Sequence, residues 1–132
     1  VVSYGSTLRL VEKAAIELEN LNINIEIIDL QTLIPFDNDL IIKKSLKKTN
    51  KLFIVDEDLP GGASSYILQK VIEDQNAFEF LDSKPITLTS KAHRPAYGSD
   101  GDYFSKPSVD DIIEKANYIM NEYDPENYPE IF

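Results

Sequence analysis

At 132 residues the chain is long enough for one hydrophobic core and too short to split into two ordinary domains. Apolar residues make up 42% and charged residues 27%, a globular balance, while a net charge of -10 argues against nucleic acid or an anionic membrane as the main partner. The lack of cysteine excludes a disulfide framework, a thiolate metal site and a thiol nucleophile, and no apolar run approaches the roughly 18 residues of a membrane span.

Val1 to Tyr4 reads as a strand, and Gly5-Ser6-Thr7 as the turn into a helix. In that helix Leu8, Val11, Ala15 and Leu18 recur at three- and four-residue spacing, widened by Leu10, Ala14 and Leu21, with Glu12, Lys13, Glu17 and Glu19 opposite. Ile25 to Leu30 is β-branched and apolar, the composition and length of a strand. Pro35 stops the ladder and Asp37 is a suitable N-cap for the next helix. There Ile41, Ile42, Ser45, Leu46 and Thr49 share one face, and Lys43, Lys44, Lys47, Lys48 and Lys51 repeat on the other. Such a stripe suits a phosphate or nucleic-acid patch, but it is also the ordinary solvent face of an amphipathic helix and favours the C-terminal dipole; the latter reading is preferred.

Leu52 to Val55 is a short buried strand, followed by the acids Asp56, Glu57 and Asp58 and then Leu59-Pro60-Gly61-Gly62. A helix is expected from Ala63 to Glu73 with Ile67, Leu68, Val71 and Ile72 inward, then a helical turn from Ala77 to Leu81 and a strand from Pro85 to Ser90. Residues 91 to 107 form a long loop with His93, the only histidine. Ser108 caps a last helix whose first turn carries Asp110 and Asp111, where the dipole favours anions. Val109, Ile112, Ile113, Ala116, Ile119, Met120 and Tyr123 give that helix its apolar face. The domain is assigned to residues 1–123, and residues 124–132 to an extended tail anchored by its apolar and aromatic side chains. Strands alternating with helices specify a three-layer α/β domain on a mostly parallel sheet of four or five strands.

Chemistry is sparse. Gly5-Ser6-Thr7 has one glycine where a dinucleotide fingerprint needs three, and no phosphate-loop lysine follows. Asp56, Glu57 and Asp58 sit at the carboxyl end of a strand, where open α/β sheets bind ligands and where grouped carboxylates can hold magnesium. A phosphoacceptor site would also need acids after the first strand, where Tyr4-Gly5-Ser6 stands instead, so an interface or loop role is preferred. His93 titrates near neutrality, but sequence places no second acid–base group beside it, and a structural or contact role is preferred. No glycine–serine elbow surrounds Ser64 or Ser65. No catalytic, cofactor-binding or metal-ligating residue is assigned; Asp56, Glu57, Asp58, His93, Tyr97, Tyr128 and Phe132 are candidate interface residues.

Six segments in order carry a family resemblance. VSYGS (2–6), IEIIDLQTLIPFD (25–37), KKTNKLFIVDE (47–57) and FEFLDSKPI (78–86) precede HRPAYG (93–98) and PSVDDIIEKA (107–116). Together, from Val2 to about Met120, the chain resembles the C-terminal domain of the beta subunit of thiamine-diphosphate-dependent 2-oxo acid dehydrogenases, within the transketolase superfamily. The resemblance implies a parent enzyme that decarboxylates a 2-oxo acid, pyruvate or a branched-chain acid, and transfers the acyl group to lipoamide. It implies thiamine diphosphate and magnesium in the parent and neither in this domain, which by itself is expected to be inactive. The implied partners are the remainder of the same polypeptide or an alpha subunit, a second beta-type domain across a homodimer contact, and the dihydrolipoyl acyltransferase component. From residue 100 onward nine acids face only Lys106 and Lys115; on charge alone this reads as a solvated face and tail, and the resemblance makes it the candidate surface for a basic docking partner.

The chain opens inside a strand without an initiator methionine, which predicts a longer polypeptide upstream, and the tail beyond Tyr123 is compatible with fused alpha and beta parts. A bacterial cytoplasmic location is expected. The alternative is a stand-alone ligand- or metal-binding regulatory α/β domain using Asp56, Glu57 and Asp58 at the sheet edge, and a third reading is a pure interaction module.

Overall fold

The computed structural model describes residues 1–92 and 105–131. Four strands, β1 (Val2–Ser3), β2 (Ile28–Asp29), β3 (Phe53–Val55) and β4 (Ile86–Leu88), form a sheet in the order β2-β1-β3-β4. Every pairing is parallel, with Val2 opposite both Ile28 and Ile54, and Phe53, Ile54 and Val55 opposite Ile86, Thr87 and Leu88. Parallel neighbours need crossovers, supplied by helices α1 (Ser6–Glu19), α2 (Ile41–Thr49) and α3 (Ala63–Gln69). The last helix, α4 (Val109–Tyr123), lies against α1.

β3 shows how one strand makes two cores. Its three residues are all buried; Phe53 and Val55 join Val11, Ala14, Leu18 and Ile112 beneath α1 and α4, while Ile54 joins Val2, Ile42, Leu46 and Ile67 beneath α2 and α3. The period of two in a strand sends successive side chains to opposite faces, so a strand covered on both sides must be apolar at every position. The three-layer α/β architecture expected from the sequence is therefore present, with a sheet that is parallel throughout the described residues.

Several boundaries differ from the sequence reading. The ladder of β2 is limited to Ile28–Asp29 rather than running from Ile25 to Leu30, because its partner β1 is itself two residues long. The buried stripe of α1 is Thr7, Val11, Ala14 and Leu18, so Leu8 and Ala15 fall on its flanks. Asp37 does cap α2, though not from the N-cap position. Leu40 holds that place in the left-handed region, and the turn from Asp37 to Leu40 returns the Asp37 carboxylate to accept from the Ile41 and Ile42 N–H groups at 2.9 and 3.0 Å. That turn leaves Ile41 exposed rather than inward.

The helix after Ala63 changes register: α geometry ends at Gln69 and a π turn, Lys70–Asp74, completes it, with Gln75 N–H donating to the Lys70 carbonyl at 2.9 Å. A 3-10 turn, Ala77–Phe80, then leads to β4. At α4 the expected cap is complete: Ser108 accepts from Asp111 N–H at 3.1 Å and Asp111 accepts from Ser108 N–H at 2.9 Å. Ile112, Ile113, Ala116 and Ile119 are buried as expected, but Tyr123 is exposed. Replacing Ser108→Ala removes one half of that box and is expected to cost about 1 kcal/mol, lowering the Tm by about 4 °C in a thermal melt.

Candidate functional site

The strand order turns outward in both directions from between β1 and β3, and the carboxyl ends of those two strands are where ligand crevices form in open α/β sheets. Sequence-predicted Asp56, Glu57 and Asp58 lie at this point, directly after β3. Geometry divides them. Asp56 is fully buried; its Oδ1 accepts from the Tyr4 hydroxyl at 2.8 Å and the Asp58 N–H at 3.1 Å, and its Oδ2 accepts from the Ser64 N–H at 3.1 Å. Asp58 turns the other way along the same loop, accepting from Leu59 N–H at 2.8 Å and from Ala63 N–H at 3.1 Å. The two carboxylates thus take the first two N–H groups of α3, whose N-cap is Gly62 and has no side chain to offer.

Glu57 is exposed, accepts from the Ser6 hydroxyl at 2.8 Å and lies 3.7 Å from Lys106 Nζ. Its backbone carbonyl accepts from the Ser90 hydroxyl, and the Asp58 carbonyl accepts from Ser90 N–H at 3.0 Å. Ser3, buried in β1, donates to the Val55 carbonyl at 2.9 Å and shares a hydrogen bond with the Thr7 hydroxyl. Loops from β1, β3 and β4 are therefore tied into one rim by short polar side chains. Between Ser6, Leu10, Glu57, Pro107 and Val109 the rim encloses a cleft of about 510 Å³.

Two further features of the rim follow from its close packing. A Cβ on Gly62 would lie 2.2 Å from Asp58 Oδ2, so only glycine lets the carboxylate reach the α3 N-terminus. Burial, helped by the hydrogen bond to Asp56 and by the negative charges of Asp56, Asp58 and Glu57, pushes the Tyr4 phenol above its ordinary value of 10.0. The sequence reading weighed Ser64 only as a nucleophile and assigned no role to Tyr4 or Ser90; each owes its role to a partner on another loop, which local pattern does not reveal.

The acids do not form one ligand set. Among the described residues no group of three His, Cys, Asp or Glu side chains converges to hold a metal ion. His93, Tyr97 and Phe132 lie outside the described residues. Tyr128 is half-buried and packs against the core beneath α4; its carbonyl accepts from Asn121 Nδ2 at 2.8 Å, and the Pro129 carbonyl accepts from Asn117 Nδ2 at 3.2 Å. Asp124 opens this return through a turn in which its carboxylate accepts from Asn127 Nδ2, which holds Asp124 below its usual carboxylate range. The segment after α4 is thus fastened along the helix.

The lysine face of α2 is less free than a plain solvent face. Lys43 and Lys47 lie over the Phe80 ring at 5.8 and 5.3 Å, and Lys48 meets Glu26 at 2.7 Å. Lys51 is largely buried, 2.7 Å from Asp82 and 3.8 Å from the centre of the Tyr123 ring, which is why Tyr123 points away from the α4 core.

This is a three-layer α/β domain on a parallel sheet, with a rim whose carboxylates and hydroxyls hold its loops. The family described as "Transketolase, C-terminal domain" matches residues 1–109, and the chain belongs to it. It is 34% identical over 120 residues to the pyruvate dehydrogenase E1 component subunit beta of Rhizobium meliloti (strain 1021), covering 90% of this chain and 25% of the relative. It is 37% identical over 121 residues to the subunit of the same name from Rickettsia felis, covering 90% of this chain and 36% of the relative. The chain thus spans between 25% and 36% of the length of these two curated relatives. A solved structure titled "Split gene transketolase, inactive beta4 tetramer" superposes with a TM-score of 0.66 at 19% identity, over 89% of this chain and 36% of that one, and shares its fold.

Asp56→Ala is expected to strand Tyr4 and two backbone N–H groups and to destabilise the domain by roughly 3 kcal/mol in urea titrations, more than Asp56→Asn, whose amide oxygen can still accept. Tyr4 is held protonated by folding, so its contribution is present below pH 10 and declines as pH rises through that ordinary value toward the raised one. Urea midpoints measured from pH 8 upward are expected to fall less steeply above pH 10 in Tyr4→Phe than in the parent sequence.

Proposed function

We propose that this chain is the C-terminal domain of the beta subunit, or fused beta part, of a thiamine-diphosphate-dependent 2-oxo acid dehydrogenase of the pyruvate type. The observation that carries the reading is similarity across 90% of the chain to proteins named as pyruvate dehydrogenase beta subunits. The parent would decarboxylate pyruvate and pass the acetyl group to lipoamide, and this domain would serve assembly and docking. A branched-chain substrate is the second reading, favoured by 38% identity to the 2-oxoisovalerate dehydrogenase subunit beta 2 of Arabidopsis thaliana, but that match covers 55% of the chain.

Asp56, Glu57 and Asp58 do not fit a magnesium ion. Asp56 is buried with both oxygens engaged, Asp58 caps α3, and Glu57 points to Ser6. A hard cation needs several oxygen ligands converging on one point, which these three do not supply. This supports a cofactor site elsewhere in the parent, with no chemical step on this domain. The partners proposed are an alpha subunit or alpha part, a second beta-type domain, and the dihydrolipoyl acyltransferase. For the last, the exposed acids of α4 and the following segment, Asp110, Glu114, Glu122, Glu126 and Glu130, offer a negative surface to a basic partner.

The full-length parent, expressed with its alpha partner where the two are separate, is expected to reduce ferricyanide with pyruvate only when thiamine diphosphate and magnesium are supplied. Failure to bind thiamine diphosphate would overturn the reading, and faster turnover of 2-oxoisovalerate would select the second one. Reversing Glu114, Glu126 and Glu130 to lysine in that parent is expected to weaken capture of the acyltransferase about ten-fold or more at low salt while leaving ferricyanide reduction unchanged.

A further inference from the structure

Helix α2 departs from the charge pattern of the other long helices. α1 and α4 each carry both signs, whereas α2, with the sequence IIKKSLKKT, has lysines and no acid. A face that needs only to be solvated is better built from mixed signs, because charges of one sign repel. Lys43 with Lys47, and Lys44 with Lys48, are like-charge pairs four residues apart, which destabilise a helix. Lys47 and Lys48 gain from the helix dipole in the last turn, but Lys43 and Lys44 stand in the first turn, at its positive end, where α2 has no acid. Lys48 and Lys51 are paired with Glu26 and Asp82, while Lys43, Lys44 and Lys47 form no ion pair among the described residues. In a chain of net charge -10, three cations are thus gathered on one helix at a cost to its stability.

The same face is partly apolar. Lys43 and Lys47 both reach over the half-buried Phe80 ring, 5.8 and 5.3 Å from its centre, so two cations share one ring. Ile41 is exposed and lies three residues before Lys44, on the same side of the helix. The base beneath is firm, since Ile42 and Leu46 are buried in the α2/α3 core. A bare anion would use the lysines and leave Ile41 in water. A nucleic acid would meet the repulsion of the remaining acidic surface. A permanent subunit interface would be apolar at its centre and depleted in lysine. An acidic polypeptide with an apolar side chain, bound reversibly, satisfies the cations and Ile41 together.

We propose that the outer face of α2, Ile41, Lys43, Lys44 and Lys47 with Phe80 beside them, docks an acidic segment of a separate protein. Carboxylates of the segment lie on the three lysines and relieve their mutual repulsion, while one aliphatic side chain packs on Ile41. The face belongs to the α2/α3 side of the sheet, opposite the acidic surface of α4, and the two select partners of opposite charge. The inference uses only residues of this domain and does not depend on the proposed function.

Fluorescence anisotropy on the full-length parent tests it, with a short fluorescein-labelled peptide of glutamates and aspartates around one leucine as the probe. Replacing Lys43→Gln, Lys44→Gln and Lys47→Gln together is expected to weaken binding about ten-fold or more at low salt. Glutamine matches lysine in helix propensity, so α2 is retained. Replacing the exposed Lys13→Gln, Lys84→Gln and Lys115→Gln changes the net charge equally and is expected to alter binding by less than about two-fold. Ile41→Ser is expected to weaken it about three-fold. Equal weakening by the two triple replacements would overturn the proposal, since binding would then follow net charge alone. So would a parent that does not bind the peptide, or one that binds a serine-for-leucine version equally well. Tighter binding of a DNA duplex through the same three lysines would overturn it in favour of a polyanion site.

Discussion

The three apolar residues of β3 and the aspartate that follows them govern the domain. Phe53, Ile54 and Val55 are buried on both faces, so each of the two helical layers has a core only because this strand contributes to it. The chain must then leave the sheet, and it does so through Asp56, a fully buried carboxylate. Burying a charge is expensive unless hydrogen bonds replace its water. The replacements are Tyr4 from the β1 loop and the N–H groups of Asp58 and Ser64, so the cost of burial is offset by joining β1, the β3 loop and α3.

This arrangement explains why the acidic cluster at the carboxyl edge of the sheet does not converge on one point among the described residues. Two of its three members each give one oxygen to helix α3 and the other to the adjoining loops, and the third turns toward Ser6 and Lys106. A rim tied in this way holds the loops after β1, β3 and β4 together.

Much of the fold was legible in the sequence because it depends on local periodicity. Val11 and Leu18 at helical spacing, the β-branched residues before Asp29, and Ser108 with Asp111 just before an apolar run each announce an element through chemistry confined to one segment. The misreadings arose where a distant partner decides. Ile25 to Ile27 has strand composition, but its ladder ends where β1 ends. Tyr123 fits the apolar stripe of α4, yet Lys51 offers its ring a cation at 3.8 Å and draws it outward. Asp37 caps α2 from beyond the N-cap because residues 37–40 form a turn that brings it back.

By itself the sequence determined the class of fold, the order of its elements and the family resemblance, since hydrophobic period, caps and breakers act over a few neighbouring residues. Only the tertiary structure decided what Asp56, Glu57 and Asp58 are for, because their partners Tyr4, Ser6 and Ser64 come from other loops or from a helix turn away. Hydrogen bonds between loops and the closure of a ladder are properties of chain segments brought together in space, and no single segment carries them.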